Sequence, residues 1–217
     1  MITDNNNDIM VTNFIDQLDT IIDSVDLHAR WLNTLSMLEN AGARKIKQCE
    51  HPVFVPEDIL KHAAEESRHA WYLKKQLRKL GAGLCPTYEP QYLLAPLTSM
   101  RYLHRLDVLV CRYLKTEHDF RGDKLKYSAY LLVTYAIEVR ADELYPVYQQ
   151  VLRSRKSSIS VYNIITEEQQ HLASMEEQLQ KLSLKWKELC DYACNQEAKL
   201  YEEWRSEVMD DVGRLVV

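Results

Sequence analysis

Apolar residues recur every three or four positions along most of this 217-residue chain, and no other sequence feature constrains the fold as strongly. Residues with that spacing lie on one face of an α-helix, so each such stripe predicts a helix that buries one side. The chain has only 5 Gly and 6 Pro, the residues that most often interrupt helices, and 46% of its residues are hydrophobic. The sequence therefore predicts an all-α fold of a few long helices around a sizeable core.

The stripes divide the chain into six predicted helices. A stretch with three prolines, 82–97, separates the second helix from the third, and a connection that long usually crosses the domain or lines a site. Near residues 182–184 we expect a break between helices. The spacing of apolar residues continues roughly across this point, so one continuous helix is the alternative. The predicted helices span residues 12–47, 56–80, 98–115, 125–152 and 158–182, followed by a C-terminal helix to about residue 212.

Charge and cysteine usage exclude several classes of protein. A formal net charge of -5 and a pI near 5.8 disfavour a general nucleic-acid binder, because phosphate contacts require a basic surface. No run of about 18 apolar residues is present, so no membrane span is expected. The five cysteines form no CxxC pair and the first residues are polar and acidic, unlike a signal peptide. These features predict a cytoplasmic protein with reduced thiols.

Carboxylates interrupt three of the apolar stripes. Glu39, Glu66 and Glu168 each occupy a position that the spacing assigns to the core, and His69 and His171 follow two of them by three residues. An uncompensated charge at a core position costs several kcal/mol, in the range of about 3–5. A pair of bound divalent cations would supply the missing positive charge, and carboxylates together with imidazoles suit iron or manganese.

The heights of these carboxylates along the helices also agree. Glu39 lies about ten residues before the end of the first helix and Glu66 about ten residues after the start of the second, so a hairpin brings them to one level. The carboxylate that the helix 125–152 contributes is ambiguous. Glu138 and Glu143 flank its main apolar stripe on opposite sides, and helix geometry alone does not choose between them.

These motifs resemble the ferritin-like superfamily, in particular its diiron-carboxylate branch. The resemblance covers residues 12–182 and rests on the order Glu, ExxH, Glu, ExxH, which is specific as a set although each element alone is weak. The phrases that carry it are Leu38-Glu39-Asn40-Ala41-Gly42-Ala43, Glu65-Glu66-Ser67-Arg68-His69, Ile137-Glu138-Val139-Arg140-Ala141 followed by Leu144-Tyr145, and Glu167-Glu168-Gln169-Gln170-His171.

The resemblance implies a ferritin-like four-helix bundle with a dinuclear metal centre, either Fe/Fe or Mn/Fe. It also implies Glu138 as the ligand from the third core helix. Glu66 and Glu168 would bridge or chelate the two metals, and Glu39 and Glu138 would be terminal carboxylates. The implied metal ligands are Glu39, Glu66, His69, Glu138, Glu168 and His171.

In domain terms, residues 1–10 are expected to be flexible, 11–182 to form the bundle, and 183–217 to be a C-terminal helical extension packed on the same domain. An added helix between the second and third core helices, and the C-terminal helix, depart from storage ferritins. The chain also lacks the CxxC module that would supply its own electron relay.

The function that the resemblance favours is an oxygen-dependent oxidase or hydroxylase of a small organic substrate. Its partners would be dioxygen, that unknown small molecule, an external electron donor and a second copy in a homodimer. Two alternatives remain open: an iron-handling or oxidative-stress protein with ferroxidase activity, and a metal-free helical interaction protein. A deep apolar channel that reaches the metals would favour an organic substrate, whereas a closed core would favour iron handling.

Several residues near the motifs have expected roles of their own. His28 lies three turns from Glu39 and is expected to be a hydrogen-bonded core histidine. His62, one turn before Glu66, is expected to be exposed, with contact to the metal centre as the alternative. Glu65 and Glu167 are expected to be exposed charges. The expected pocket walls are Met37, Tyr135, Tyr145 and Met175.

Overall fold

The computed structural model describes residues 14–216, and every regular element in that range is helical, which confirms the all-α prediction. The helices are α1 at 14–23, α2 (Val25–Cys49), α3 (Glu57–Leu77), α4 (Pro96–Glu117), α5 (Gly122–Ser154), α6 (Tyr162–Leu182) and α7 (Trp186–Val216), with a short 3-10 helix at Pro90–Tyr92. The segment predicted to be flexible, 1–10, lies outside the described residues. None of the helices in this range is long and apolar enough to cross a membrane.

The helix boundaries agree with the prediction except near the start of the chain. The sequence predicts one helix over 12–47, but the described part is interrupted at Ser24, whose backbone is extended. The Ser24 hydroxyl accepts a hydrogen bond from the Leu27 amide, so this residue caps a new helix instead of continuing the old one. The predicted break after Leu182 is confirmed, since α7 begins at Trp186.

Two antiparallel hairpins hold the core together. Helices α2 and α3 form one, in which the Ser36 hydroxyl donates to the Ala70 carbonyl at 2.7 Å, and α5 and α6 form the other. The hairpins meet through buried contacts such as the hydrogen bond between His28 Nε2 and Tyr148 Oη, 2.6 Å long. His28 is therefore the buried core histidine that the sequence predicts.

Helices α4 and α7 pack antiparallel to each other and cover α2 and α5 on one side of the hairpins. The Trp204 indole of α7 lies against Trp31 of α2, with ring centroids 5.7 Å apart. Its N–H donates to the Ser99 hydroxyl of α4 at 2.7 Å. The C-terminal helix is thus anchored on the same core as the rest of the described chain.

The long connection between α3 and α4 is fixed to α2. The Asn33 amide donates to the carbonyls of Thr87 and Tyr92 at 2.9 and 2.8 Å. The Thr34 hydroxyl accepts from the Leu94 amide at 2.9 Å. Because these side chains satisfy backbone groups of the connection, they set the point at which α4 begins.

An ion pair whose carboxylate is buried ties the outer helices to the hairpins. Glu197 of α7 is 2% exposed and accepts hydrogen bonds from Arg140 Nε and Nη2 of α5, at 3.0 and 2.9 Å. The Tyr102 hydroxyl of α4 donates to the same carboxylate. The Glu197 carboxylate therefore links α4, α5 and α7. It can remain buried as an anion because the Arg140 charge compensates it.

We predict that Glu197→Gln lowers the free energy of unfolding by about 2–4 kcal/mol, because it leaves the Arg140 guanidinium without its buried counter-charge. Urea unfolding monitored by circular dichroism measures the effect. Glu203→Gln is the matched control, since its ion pair with Arg105 is nearly half exposed, and it should cost less than about 1 kcal/mol. Equal costs for the two variants would show that the Arg140 pair is not a structural anchor.

Candidate metal centre

The six residues predicted as metal ligands converge between the two hairpins. Glu39, Glu66 and Glu168 lie on the apolar stripes of their helices and the other three lie beside such a stripe, which is why the folding of the core brings them together. Five are buried, and the Glu39 side chain is 11% exposed. They are Glu39 on α2, Glu66 and His69 on α3, Glu138 on α5, and Glu168 and His171 on α6.

Two carboxylates each face both imidazoles. Glu168 Oε1 lies 3.0 Å from His69 Nδ1, and Glu168 Oε2 lies 3.1 Å from His171 Nδ1. Glu66 Oε1 lies 3.8 Å from each of the same two nitrogen atoms. A carboxylate placed between two nitrogen donors has the position of a ligand that two metal ions share.

The potential ligand atoms form two overlapping groups, and within each group they lie within 4.8 Å of one another. Glu66 belongs to both groups. The first group is Glu39, Glu66, His69 and Glu168, and the second is His62, Glu66, Glu138 and His171.

The structure places the two candidate carboxylates of α5 very differently. Glu138 is 2% exposed and lies 3.6 Å from His171 Nδ1. Glu143 is exposed and pairs with Arg140 on its own helix. Glu138 therefore joins the cluster, whereas Glu143 points away from it.

The cluster fits a bound cation by two further observations. Among residues 14–216, neither Glu66 Oε1 nor His69 Nδ1 has a hydrogen-bond partner, although both are buried, and the nearby carboxylates lie outside hydrogen-bond geometry. A Cβ atom at residue 42 would lie 3.2 Å from Glu66 Oε2, so glycine makes room there for the carboxylate. Inward-facing lone pairs without a donor are what a ligand set presents to a metal.

Burial and mutual repulsion shift the proton affinities of the cluster. Burial, followed by the charges of Glu168, Glu39 and Glu138, raises the pKa of Glu66 well above its ordinary value. Burial alone would lower the pKa of His69, but its contacts with Glu168 and Glu39 raise that pKa to about 11. Glu138 and Glu168 likewise outweigh burial and raise the pKa of His171 to about 10. Without metal, protons on these groups supply the compensating charge.

Two glutamates expected to be exposed instead hold the imidazoles in place. Glu167 Oε2 accepts from His69 Nε2 at 2.7 Å, and Glu65 Oε2 accepts from His171 Nε2 at 2.9 Å. Each bond crosses from one hairpin to the other and leaves Nδ1 facing the centre, as in many metal sites. The repeated Glu-Glu pair at the start of both motifs, in Glu65-Glu66 and Glu167-Glu168, was the sequence signal for this role.

His62 was predicted to be exposed, and the structure corrects this. Its side chain is 6% exposed, and its Nε2 atom lies 2.9 Å from Glu138 Oε1. Burial, together with the nearby His171, lowers the pKa of His62 to about 4, so the ring is neutral at physiological pH. The sequence signal was its place one turn before Glu66, on the buried face of α3.

The predicted pocket walls are partly wrong. Tyr145 lies beside the cluster as predicted, since its hydroxyl donates to Glu39. Met175 lies next to His171, in a small cleft between α3 and α6. Tyr135 instead points outward and donates to Glu176 at 3.3 Å, because its position on α5 faces the outer side of α6. Met37 is buried but does not line the cavity that opens onto the four glutamates.

A cavity of about 90 Å³ opens onto the carboxylates. Its inner end is formed by the four glutamates of the predicted ligand set, and its walls are mostly apolar. Two of its polar wall residues, Arg140 and Tyr102, direct their polar groups to Glu197 through hydrogen bonds. The other wall residues are Leu35, Leu38, Gly42, Leu103, Ile137, Ala141, Leu144, Tyr145, Tyr201 and Trp204.

A second, smaller cleft of about 50 Å³ lies on the α3–α6 face. Its lining is largely polar and includes Asp58, Lys61, Glu65 and the imidazoles of His62 and His171. The two openings therefore differ in character: the apolar cavity reaches the carboxylates, and the polar cleft reaches the histidines.

The all-helical structure with its buried glutamate and histidine clusters is compatible with the ferritin-like fold that the sequence resembles. Comparisons with protein-family models, curated proteins and solved structures return no significant match. Function is therefore inferred from the residues of the site.

Proposed function

We propose that this chain is a ferritin-like dinuclear metalloprotein, with Fe/Fe or Mn/Fe, that uses dioxygen to oxidise or hydroxylate a small apolar organic molecule. The observation that carries the proposal is the apolar cavity of about 90 Å³ that is lined by four carboxylates, three of them buried. Glu39, Glu66, Glu138 and Glu168, with His69 and His171, would hold the two metals.

The donor set supports iron or manganese. Oxygen donors outnumber nitrogen donors, and the described cluster contains no thiolate, so softer metals are less well matched. Glu66 and Glu168 each lie between the two imidazoles and are placed to serve both ions. The remaining two glutamates come from opposite hairpins, one for each ion.

The apolar cavity supports an organic substrate over iron handling alone. Wall residues of this cavity such as Leu103, Ile137 and Leu144 would be of no use to a hydrated ion, for which the polar cleft would be the path. The Arg140 charge is neutralised by Glu197 and Glu143, so the cavity presents no unpaired cation that would attract an anionic substrate. A neutral, apolar molecule or group fits this environment best.

If bound by these residues, two reduced metal ions would supply electrons to dioxygen close to a substrate C–H bond. Hydroxylation of that bond would insert one oxygen atom and reduce the other to water, with two protons and the two electrons from the metals, which must then be reduced again. An external electron donor is therefore required. The chain itself excludes water with the walls from α4 and α7, and the Tyr145 hydroxyl orients Glu39 by donating to it.

We predict two metal ions per chain in protein purified from its own host, measured by elemental analysis. Glu66→Ala and Glu168→Ala should each lose both ions, because each carboxylate lies between the two imidazoles. Glu143→Ala is the matched control and should retain both, since that side chain is exposed.

A metal-free wild-type protein would contradict this assignment and favour a helical interaction protein. Iron accumulating well beyond two ions per chain on exposure to ferrous iron and air, without oxidation of any organic molecule, would instead favour ferroxidase activity. Anaerobic reduction followed by exposure to oxygen distinguishes these outcomes.

We predict that the metal-free protein becomes less stable as the pH rises from about 6 to about 9. The pKa values of His69 and His171 are raised, so their stabilisation is complete below the unfolded value of 6.5 and is lost towards about 10–11. The raised pKa of Glu66 acts in the same direction. The melting temperature should fall by about 10 °C or more over that interval.

Loading with Mn²⁺ should remove most of this pH dependence, because metal ions then replace protons as the compensating charge. Differential scanning calorimetry of both forms across the pH range measures it. Parallel melting curves for metal-free and loaded protein would mean that cations do not bind at the cluster.

We predict that Ala141→Leu fills the apolar cavity without disturbing the metals. Toluene, a neutral probe, should bind to the wild type and lose at least about tenfold in affinity in the variant, measured by saturation-transfer NMR. Benzoate, which adds a carboxylate to the same ring, should bind more weakly than toluene in the wild type. Metal content should remain two per chain.

Ala173→Leu, an exposed position on α6, is the control and should leave toluene binding unchanged. If benzoate bound as tightly as toluene, or if Ala141→Leu had no effect, the cavity would not be the site of a neutral apolar substrate.

A further inference from the structure

His62 is a buried imidazole in the cluster that lies outside the ligand set implied by the sequence motifs. Its Nε2 atom is 2.9 Å from Glu138 Oε1 and 3.5 Å from Glu66 Oε1. Its ring centroid is 4.4 Å from that of His171. With Glu66, Glu138 and His171 it forms one of the two groups whose ligand atoms all lie within 4.8 Å.

The two hairpins are related by matching motifs, and His62 breaks that relation. His62 precedes Glu66 by four residues on α3, and the position that precedes Glu168 by four residues on α6 is Ile164, which is 1% exposed. The group around His69 therefore has one nitrogen donor, whereas the group around His171 has two. An apolar residue at Ile164 shows that core packing at this level does not itself require an imidazole.

The far side of the His62 ring is also partnered. Its Nδ1 atom lies 3.3 Å from the Tyr130 hydroxyl, which is buried against α3. If Nδ1–H donates to that oxygen, the Nε2 lone pair faces Glu66 and Glu138. The outer hydrogen bonds of His69 and His171 orient those rings in the same manner, with one nitrogen held and the other directed inward.

We propose that His62 is a third nitrogen ligand, bound through Nε2 to the metal ion that Glu66, Glu138 and His171 hold, so that the two metal ions have unequal donor sets. This inference rests on the proposed dinuclear centre. The competing role is that of a positioning residue, in which Nε2–H donates to Glu138 and never contacts metal.

The consequence concerns access to the metals. All four glutamates line the apolar cavity, whereas His62 and His171 line the polar cleft. With His62 and His171 both bound to it, the metal ion at Glu66 and Glu138 would be closed from the cleft. It would remain approachable from the carboxylate side, where the cavity lies.

The test counts the nitrogen atoms bound to iron. Full-length protein with ¹⁵N-labelled histidine is loaded with ferrous iron, oxidised, reduced by one electron at cryogenic temperature, and examined by electron–nuclear double resonance. The wild type should show three coordinated nitrogens and His62→Gln two. His69→Gln is the positive control with two, and His104→Gln, an exposed position, should keep three.

A second measurement covers the case in which a variant binds iron poorly. Anaerobic ferrous titration of His62→Gln should leave one of the two binding steps unchanged and weaken the other by about tenfold or more. Glutamine can still donate a hydrogen bond to Glu138, so two unchanged steps would overturn the proposal.

The wild-type nitrogen count separates this inference from the proposed function. Two iron ions with only two coordinated nitrogens would overturn the role of His62 and leave the dinuclear centre intact. A wild-type protein that binds no iron would overturn both.

Discussion

Four carboxylates, three of them buried, meet inside an apolar core and impose the requirement that the rest of the site meets. Each charge removed from water costs several kcal/mol unless positive charge lies beside it. Without metal, protons supply the compensation: the pKa values of His69, His171 and Glu66 are all raised. Two divalent ions with neutral imidazoles would replace those protons. Binding of such ions would therefore be coupled to folding through the same residues.

The hairpins depend on each other through this centre. His69 is held by Glu167 of the opposite hairpin, and His171 by Glu65, so each imidazole is oriented in part by the other helix pair. Arg68 extends the first contact by binding both oxygens of Glu167 at 2.8 and 2.6 Å. Because the Nε2 atoms are engaged across the interface, the Nδ1 atoms are already directed inward before any ion arrives. Such preorganisation reduces the reorganisation that metal binding must otherwise induce.

Some parts of the fold and of the site can be predicted from the sequence and others cannot, and the reason differs from residue to residue. The helices and the buried glutamates were visible because an apolar stripe fixes which face is inside, and a charge within it stands out. Glu138 could not be separated from Glu143 in that way, because both flank the stripe of a helix that is buried on several sides. That choice depends on which neighbouring helix lies on each flank, which is tertiary information.

The roles of His62 and Glu167 were only weakly indicated by the sequence, for a different reason. A polar residue one position off the stripe, or one turn before a ligand, is exposed in an isolated helix and becomes buried only when another hairpin covers it. The break at Ser24 reflects local competition, since a serine side chain can cap a new helix as readily as it can continue an old one. Covering and capping both depend on neighbours that periodicity does not specify.

The two helices that lie outside the hairpins decide what kind of site the centre can be. Without α4 and α7, the carboxylates would open towards water, and a hydrated ion would be the natural occupant. Leu103 from α4 and Trp204 from α7 instead line a cavity that ends at those carboxylates. The ion pair of Arg140 with Glu197 anchors this wall and at the same time neutralises its only cation. The contact that holds the added helices in place therefore also leaves the wall apolar, so the structural additions and the proposed preference for a neutral substrate have one physical origin.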